Sequence, residues 1–263
     1  TTITAAGAIT ATGAAPVSFG ATLTGTVATA GNVTTAGGAI HYYRDVQLTG
    51  NVTLDATNAG GTPAGADIQA DGAITRDGTA RNLTIRAGTA GNVVCAGTVG
   101  TGGAPLGAVL VVSANNFAGN AGATVDAGAI TAASLTQNAG SGTSRLGAVT
   151  LTGAMSLTGS AIDLNGAITA PNGFSSTGTS FDNTGAAITT TNNNIVINHS
   201  AAVTIGSALS SGSGIVNIDS TGSTINLNAS IGVSTGAVTL DAAGITTITA
   251  AGAITATGAA PVS

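Results

Sequence analysis

The bulky polar residues best suited to binding or chemistry gather in one stretch of this 263-residue chain. Both tyrosines and four of the five arginines fall there, and the set is His41, Tyr42, Tyr43, Arg44, Arg76, Arg81 and Arg86. Tyrosine and arginine are the residue types that most often anchor protein contacts. We therefore treat the seven as a candidate lateral-contact patch for a neighbouring fibre or a glycan. The alternative is a local variation with scattered surface ion pairs, which contribute little.

The scarcity of clustered acidic and imidazole side chains argues against catalysis and metal binding. Acid-base or metal chemistry needs clustered carboxylates and imidazoles, whereas His41 and His199, the two histidines, are far apart in the sequence. No Asp-x-Asp run or acidic glycine-rich nonapeptide suggests calcium sites. We predict no catalytic residue, no metal and no cofactor, and hence no enzyme.

Composition then indicates which elements must position these residues. Alanine, threonine and glycine make up just over half of the chain, and lysine, glutamate and tryptophan do not occur. The charged residues that normally cover a solvent-facing helix are therefore missing. A net charge of −5 with five arginines is a poor match for nucleic acid. The longest apolar run, Ala108 to Val112, is too short to span a bilayer.

A long repeat organises the chain. Residues 1–18 recur without change at 246–263. We read residues 1–245 as one complete unit and residues 246–263 as the start of the next identical unit, and therefore expect a tandem array. The chain itself is then its own principal partner, through tandem continuation, end-to-end stacking and lateral bundling.

A shorter period lies inside the long one, marked by glycine followed within two or three residues by a β-branched residue. Motifs of this kind start 19 residues apart at Gly128, Gly147, Gly166 and Gly185, at Gly31 and Gly50, and at Gly72 and Gly91. The spacing predicts a coil of about 19 to 20 residues, or roughly 12 coils per unit.

The clearest coil divides into three pieces, GAVTLT (147–152), GAMSLT (153–158) and GSAIDLN (159–165). Each begins with glycine and then alternates apolar with polar residues, as a half-buried strand does. We predict an all-β, right-handed parallel β-helix with three short strands per coil and glycine at the corners. At a coil spacing of about 4.8 Å, the unit would be on the order of 60 Å long.

The alternation also assigns individual side chains. Cys95 and Met155 fall at inward positions, which predicts core packing. Thr131, Thr150 and Thr169 form one outward column. The neighbouring column, Ala133, Thr152 and Pro171, lacks the second threonine row that a flat ice-binding face would need. The asparagine-rich segment 189–200 is expected to form side-chain ladders that hold coils together.

These patterns resemble the giant repetitive bacterial surface proteins with β-strand repeats, including the filamentous-haemagglutinin-like adhesins. The resemblance rests on VQLTGNVTLDA (46–56), NLTIRAGTAGNVVCAGTVG (82–100), APLGAVLVVSANNF (104–117) and GAVTLTGAMSLTGSAIDLNGAIT (147–169). It implies an exported protein that forms long stalks or fibres at the cell surface. Two functions follow as expectations: a structural extracellular fibre, or an adhesin that binds a receptor or glycan laterally. An ice-binding solenoid and a carbohydrate-active enzyme are weaker alternatives.

Overall fold

The chain is a stack of short parallel strands. A computed structural model describes residues 2–3, 7–22, 24–258 and 261–262. In these ranges the strands stack as a β-solenoid of about 11 turns without an α-helix, which confirms the predicted all-β parallel solenoid. The same ranges contain no helix long and apolar enough to cross a membrane. Residues 1, 4–6, 259, 260 and 263 of the duplicated segments lie outside the described residues.

Each coil contributes to three faces, numbered in the order in which the chain visits them. Face 1 holds Thr2–Ile3, Val27–Thr29, Val46–Leu48, Ile74–Arg76, Val149–Leu151, Ile168–Thr169, Ile188–Thr189, Leu209–Gly212, Ile231–Val233 and Ile254–Ala256. Face 2 holds Ile9–Ala11, Val33–Thr35, Val52–Asp55, Leu83–Arg86, Ile195–His199, Val216–Ser220 and Val238–Ala242. Face 3 holds Val17–Phe19, Ile40–Tyr42, Ile68–Ala70, Val93–Cys95, Phe117–Ala118, Thr143–Leu146, Val203–Ile205, Ile225–Leu227 and Thr246–Ile248.

Four longer strands turn a corner and serve two faces. Leu106–Ser113 and Ile130–Gln137 pass from face 1 to face 2. Met155–Leu164 and Phe174–Asp182 pass from face 2 to face 3. Among the described residues, the pairings between these strands are parallel, as the solenoid requires.

Aliphatic rows fill the interior, as the alternation predicted. Val149, Leu151, Met155 and Leu157 are buried, as are Ile162 and Leu164 in the same coil. Thr131, Thr150 and Thr169 stand in register as an outward column. Because each inward side chain packs on the same position of the coils above and below, the core lengthens without widening.

Coil length departs from the prediction outside the middle of the chain. Ile130, Val149, Ile168 and Ile188 pair in succession at separations of 19 or 20 residues, as expected. Elsewhere the separation between paired residues ranges from 18 (Thr143 to Ala161) to 31 (Val52 to Leu83), so the unit has about 11 coils rather than 12.

Both 19-residue spacings outside this run need correction. Val33 and Val52, after Gly31 and Gly50, share face 2, but Val33 pairs with Leu54. Ile74, after Gly72, lies on face 1, whereas Val93, after Gly91, lies on face 3. The physical reason is that loops between strands vary in length without disturbing the stack.

Asparagine and aspartate side chains join successive coils near the corners. The Asn51 Oδ1 accepts a hydrogen bond from the Asn82 amide at 2.9 Å, and the Asn82 Oδ1 accepts one from the Ala108 amide at 2.8 Å. In the asparagine-rich segment, Asn192 and Asn194 accept bonds from backbone amides of the next coil. The expected cohesion between coils is present there, but these bonds run from side chain to backbone.

Candidate lateral-contact site

The seven predicted contact residues are distributed around the solenoid. His41 and Tyr42 belong to a face 3 strand, and Tyr43 and Arg44 follow at the corner between faces 3 and 1. Arg76 ends a face 1 strand, Arg81 lies in the next corner, and Arg86 ends a face 2 strand. The seven therefore do not form one surface, because the sequence between them winds around the coil.

Tyr42 belongs to the core. Its side chain is 1% exposed, and its ring stacks on Phe19 with centroids 4.5 Å apart. Its phenolic oxygen is buried and has no hydrogen-bond partner within the described part of the chain, and desolvation raises the pKa of the hydroxyl above its usual range. Alternation explains the placement, because Tyr42 is in register with the inward residues Phe19 and Ala70. Tyr42 cannot touch a neighbouring molecule from there.

A half-buried His41 and an exposed Tyr43 form an aromatic pair at this corner. Their ring centroids are 3.7 Å apart, and Tyr43 is 40% exposed. The His41 Nε2 lies 3.0 Å from the Asp71 Oδ2, and the Gln69 side chain donates a 2.6 Å bond to the other Asp71 oxygen. The ring of His41 is thus held in place, and it supports the ring of Tyr43 from one side.

An open groove runs past Tyr43 across three coils, which we call the Tyr43 groove. It is lined by Gly25, Thr26, Tyr43, Arg44, Asp45, Asp71 and Gly72. The Asp45 Oδ1 accepts a 2.8 Å hydrogen bond from the backbone amide of Ala73, so the Asp45 carboxylate also holds the groove wall in place. A groove with one aromatic ring, one guanidinium and two carboxylates can accept a polar partner that offers hydroxyl groups or mixed charges. The sequence patch included Tyr43 and Arg44 but not Asp71, which comes from the following coil.

The remaining three arginines are engaged within the solenoid or lie apart from the Tyr43 groove. Arg81 binds Asp77 through two hydrogen bonds of 2.6 and 2.8 Å, and this contact lowers the pKa of Asp77. The Arg86 Nη1 is 3.8 Å from the Asp55 Oδ2. The Arg76 Nε is buried and has no hydrogen-bond partner among the described residues.

A second charged cluster, which the sequence did not indicate, lies around Arg145. Its guanidinium pairs with Asp126 at 2.8 Å and with Asp163, its register partner in the next coil. The Asn165 amide donates to both carboxylates at 3.0 Å. The cluster joins three successive coils through ion pairs and side-chain hydrogen bonds.

One titratable group is enclosed in the interior. His199 has no exposed surface, and its Nε2 lies 2.9 Å from the Ser176 Oγ. Among the residues that the structure describes, its Nδ1 has no hydrogen-bond partner. Its ring is 5.5 Å from that of Phe181. Desolvation lowers the pKa of His199 to about 4. The ring is therefore neutral at pH 7.

Cys95 lies inside, at an inward position as predicted. Its side chain is 3% exposed, and burial raises the pKa of the thiol to about 12. Cys95 belongs to face 3, in register with Ala70. Across the ranges described, no three His, Cys or Asp side chains lie close enough together to hold a metal ion.

No protein-family model, no curated protein and no solved structure matches this chain. Its class therefore follows from its own architecture: parallel coils stacked around one apolar interior make it a β-solenoid protein.

Proposed function

We propose that this protein is a structural one, in which tandem 245-residue solenoid units form a long extracellular filament at a cell surface or in a matrix. One observation carries the proposal. The second copy of the repeated sequence adds another coil to the stack, through Thr246 on Ile225, Ile254 on Ile231 and Val262 on Val238. The start of a unit thus stacks on the end of the preceding one with the same parallel pairing.

The last coils of the stack carry exposed apolar side chains. Ile245 and Ile248 in the last coils are 73% and 54% exposed, and Val262 is 53% exposed. Such apolar side chains, next to unpaired strand edges, are covered when another coil follows. End-to-end association of single units is expected for the same reason.

Proteins of one, two and three units test the proposal. With about 11 coils per unit and about 4.8 Å per coil, the rod should lengthen by about 50 Å for each unit added. Small-angle X-ray scattering and electron microscopy measure this length. An unchanged rod length, or separate particles joined by a linker, would refute the proposal.

A matched pair of variants tests the junction itself. Thr255→Pro should kink or interrupt the rod, because proline removes a backbone donor from the ladder. Thr255→Ala keeps that donor and should leave the rod straight. If the two variants form equally straight rods, the coil that contains Thr255 does not join one unit to the next.

A second candidate function is lateral binding of a glycan, and the Tyr43 groove favours it. Tyr43 presents a supported aromatic ring beside the carboxylates of Asp45 and Asp71. Tyr43→Ala should abolish binding to a glycan array, whereas Tyr43→Phe keeps the ring and should retain most of it. If the array shows no binding while Tyr43→Ala stops lateral bundling of rods, the groove serves fibre contacts instead.

A further inference from the structure

The two identical sequence segments occupy different faces of the solenoid. Ile9–Ala11 lies on face 2 and pairs with Val33–Thr35. The same three residues at the other end, Ile254–Ala256, lie on face 1 and pair with Ile231–Val233. The next strand behaves alike, since Val17 is on face 3 and its counterpart Val262 pairs with Val238 on face 2.

The count of coils explains the difference. Ten successive strand pairings along face 2 lead from Ile9–Ala11 to Val238–Ala242. Thr246 on face 3 and Ile254 on face 1 come next, so Ile254 stands two strands beyond the tenth coil. One 245-residue unit therefore spans ten and two-thirds coils, counted from Ile9 to Ile254.

We propose that in the tandem filament each unit is rotated by one face, about 120°, relative to the unit before it. This inference rests on the proposed tandem arrangement. It follows because a repeat that falls one strand short of a whole number of coils starts its successor one face earlier. Three units then return to the starting face.

Local packing does not favour one face over another for the repeated segment. On face 2, Ile9 is in register with Val33, and on face 1, Ile254 is in register with Ile231. Each contact places one β-branched aliphatic residue on another, with threonine at the following outward position in the added strand. Because the two sites are chemically equivalent, the strand count alone decides which face receives the segment.

The rotation determines how the filament meets its surroundings. With about 4.8 Å per coil, successive copies of any outward residue would lie about 51 Å apart along the axis and on different faces. The Tyr43 groove would then point in three directions and return to its first direction after about 150 Å. Such a filament presents the same contact surface in three directions around its axis. This favours three-dimensional bundles of filaments over flat ribbons that are joined on one side only.

Disulfide trapping in the 263-residue chain tests the register at the second copy. Thr255 and Gly232 are Cα partners on adjacent parallel strands, a spacing that a disulfide can bridge. A Cβ at Gly232 meets no atom closer than 3.9 Å, so Gly232→Cys is tolerated. The double variant Gly232→Cys/Thr255→Cys should oxidise to a disulfide in nearly all molecules.

The comparison variant is Thr239→Cys/Thr255→Cys. It would form the bond only if the second copy lay on face 2, as a whole number of coils requires. Thr150→Cys/Thr169→Cys serves as a positive control, because these residues pair in the middle of the stack. The native thiol of Cys95 is buried and does not compete. A disulfide between positions 239 and 255 with none between 232 and 255 would overturn the inference.

Labelling a three-unit protein separates this inference from the proposed function. Thr150→Cys in every unit, tagged with a gold particle, should give three labels at about 51 Å axial intervals, each about 120° from the last. Labels in one straight line on a rod of the expected length would refute the rotation and leave the filament proposal standing. Absence of a continuous rod would refute the filament proposal. The disulfide experiment would still test which face the second copy of the repeated segment occupies.

Discussion

The buried imidazole of His199 should make this solenoid lose stability in mild acid. Its pKa is about 4 in the folded chain against an ordinary value of 6.5. As the pH falls below about 6.5, His199 binds a proton in the unfolded chain but not in the folded chain. The loss of folding stability therefore begins near pH 6.5 and is complete near pH 4. At 1.36 kcal/mol per pKa unit, the full difference is about 3 kcal/mol.

Comparison with His199→Gln isolates this effect. Glutamine still offers a polar partner to the Ser176 hydroxyl and does not titrate, and the ten aspartates are common to both proteins. Urea unfolding followed by circular dichroism at pH 7, 5.5 and 4 gives the free energy of unfolding of each. We expect the wild type to lose about 3 kcal/mol more than His199→Gln between pH 7 and pH 4. Parallel losses in the two proteins would refute the reasoning.

Three further predictions concern packing between coils. Gly178→Ala should destabilise the fold by about 2 kcal/mol or more in urea unfolding, because its Cβ would lie 1.8 Å from a carbonyl oxygen of the adjacent coil. Gly102→Ala, where nothing lies within 4 Å, is the control and should be nearly neutral; equal effects would contradict the steric argument. Asn183→Ala should lower the free energy of unfolding by about 2 to 3 kcal/mol. The buried side-chain amide of Asn183 donates hydrogen bonds to two backbone carbonyls and accepts one from a backbone amide. Asn120→Ala, at a half-buried position, should cost clearly less, and a reversed order would count against the assignment. Cys95 should resist iodoacetamide at pH 8 in the folded chain and react after denaturation, as mass spectrometry would show; rapid labelling of the native protein would contradict its burial.

The sequence by itself determined the strand type and the direction of most side chains. Strict alternation around Val149, Leu151 and Met155 predicts which side chains fill the interior, because a strand sends successive side chains to opposite sides. The 19-residue spacing from Gly128 to Gly185 also predicts the coil in the middle of the chain. Both signals are local, and both are confirmed by the pairings there.

Only the tertiary structure decided which distant residues meet. Asp71 comes from the coil after His41, and Asp163 pairs with Arg145 because corner length sets the register between coils. The alternation did not show that Tyr42 points inward, since its neighbours His41 and Tyr43 are also polar aromatic residues. The face reached by the repeated segment depends on the total number of strands along the stack. Parallel pairing joins residues 18 to 31 positions apart, and a pattern with a period of two residues carries no information about that distance.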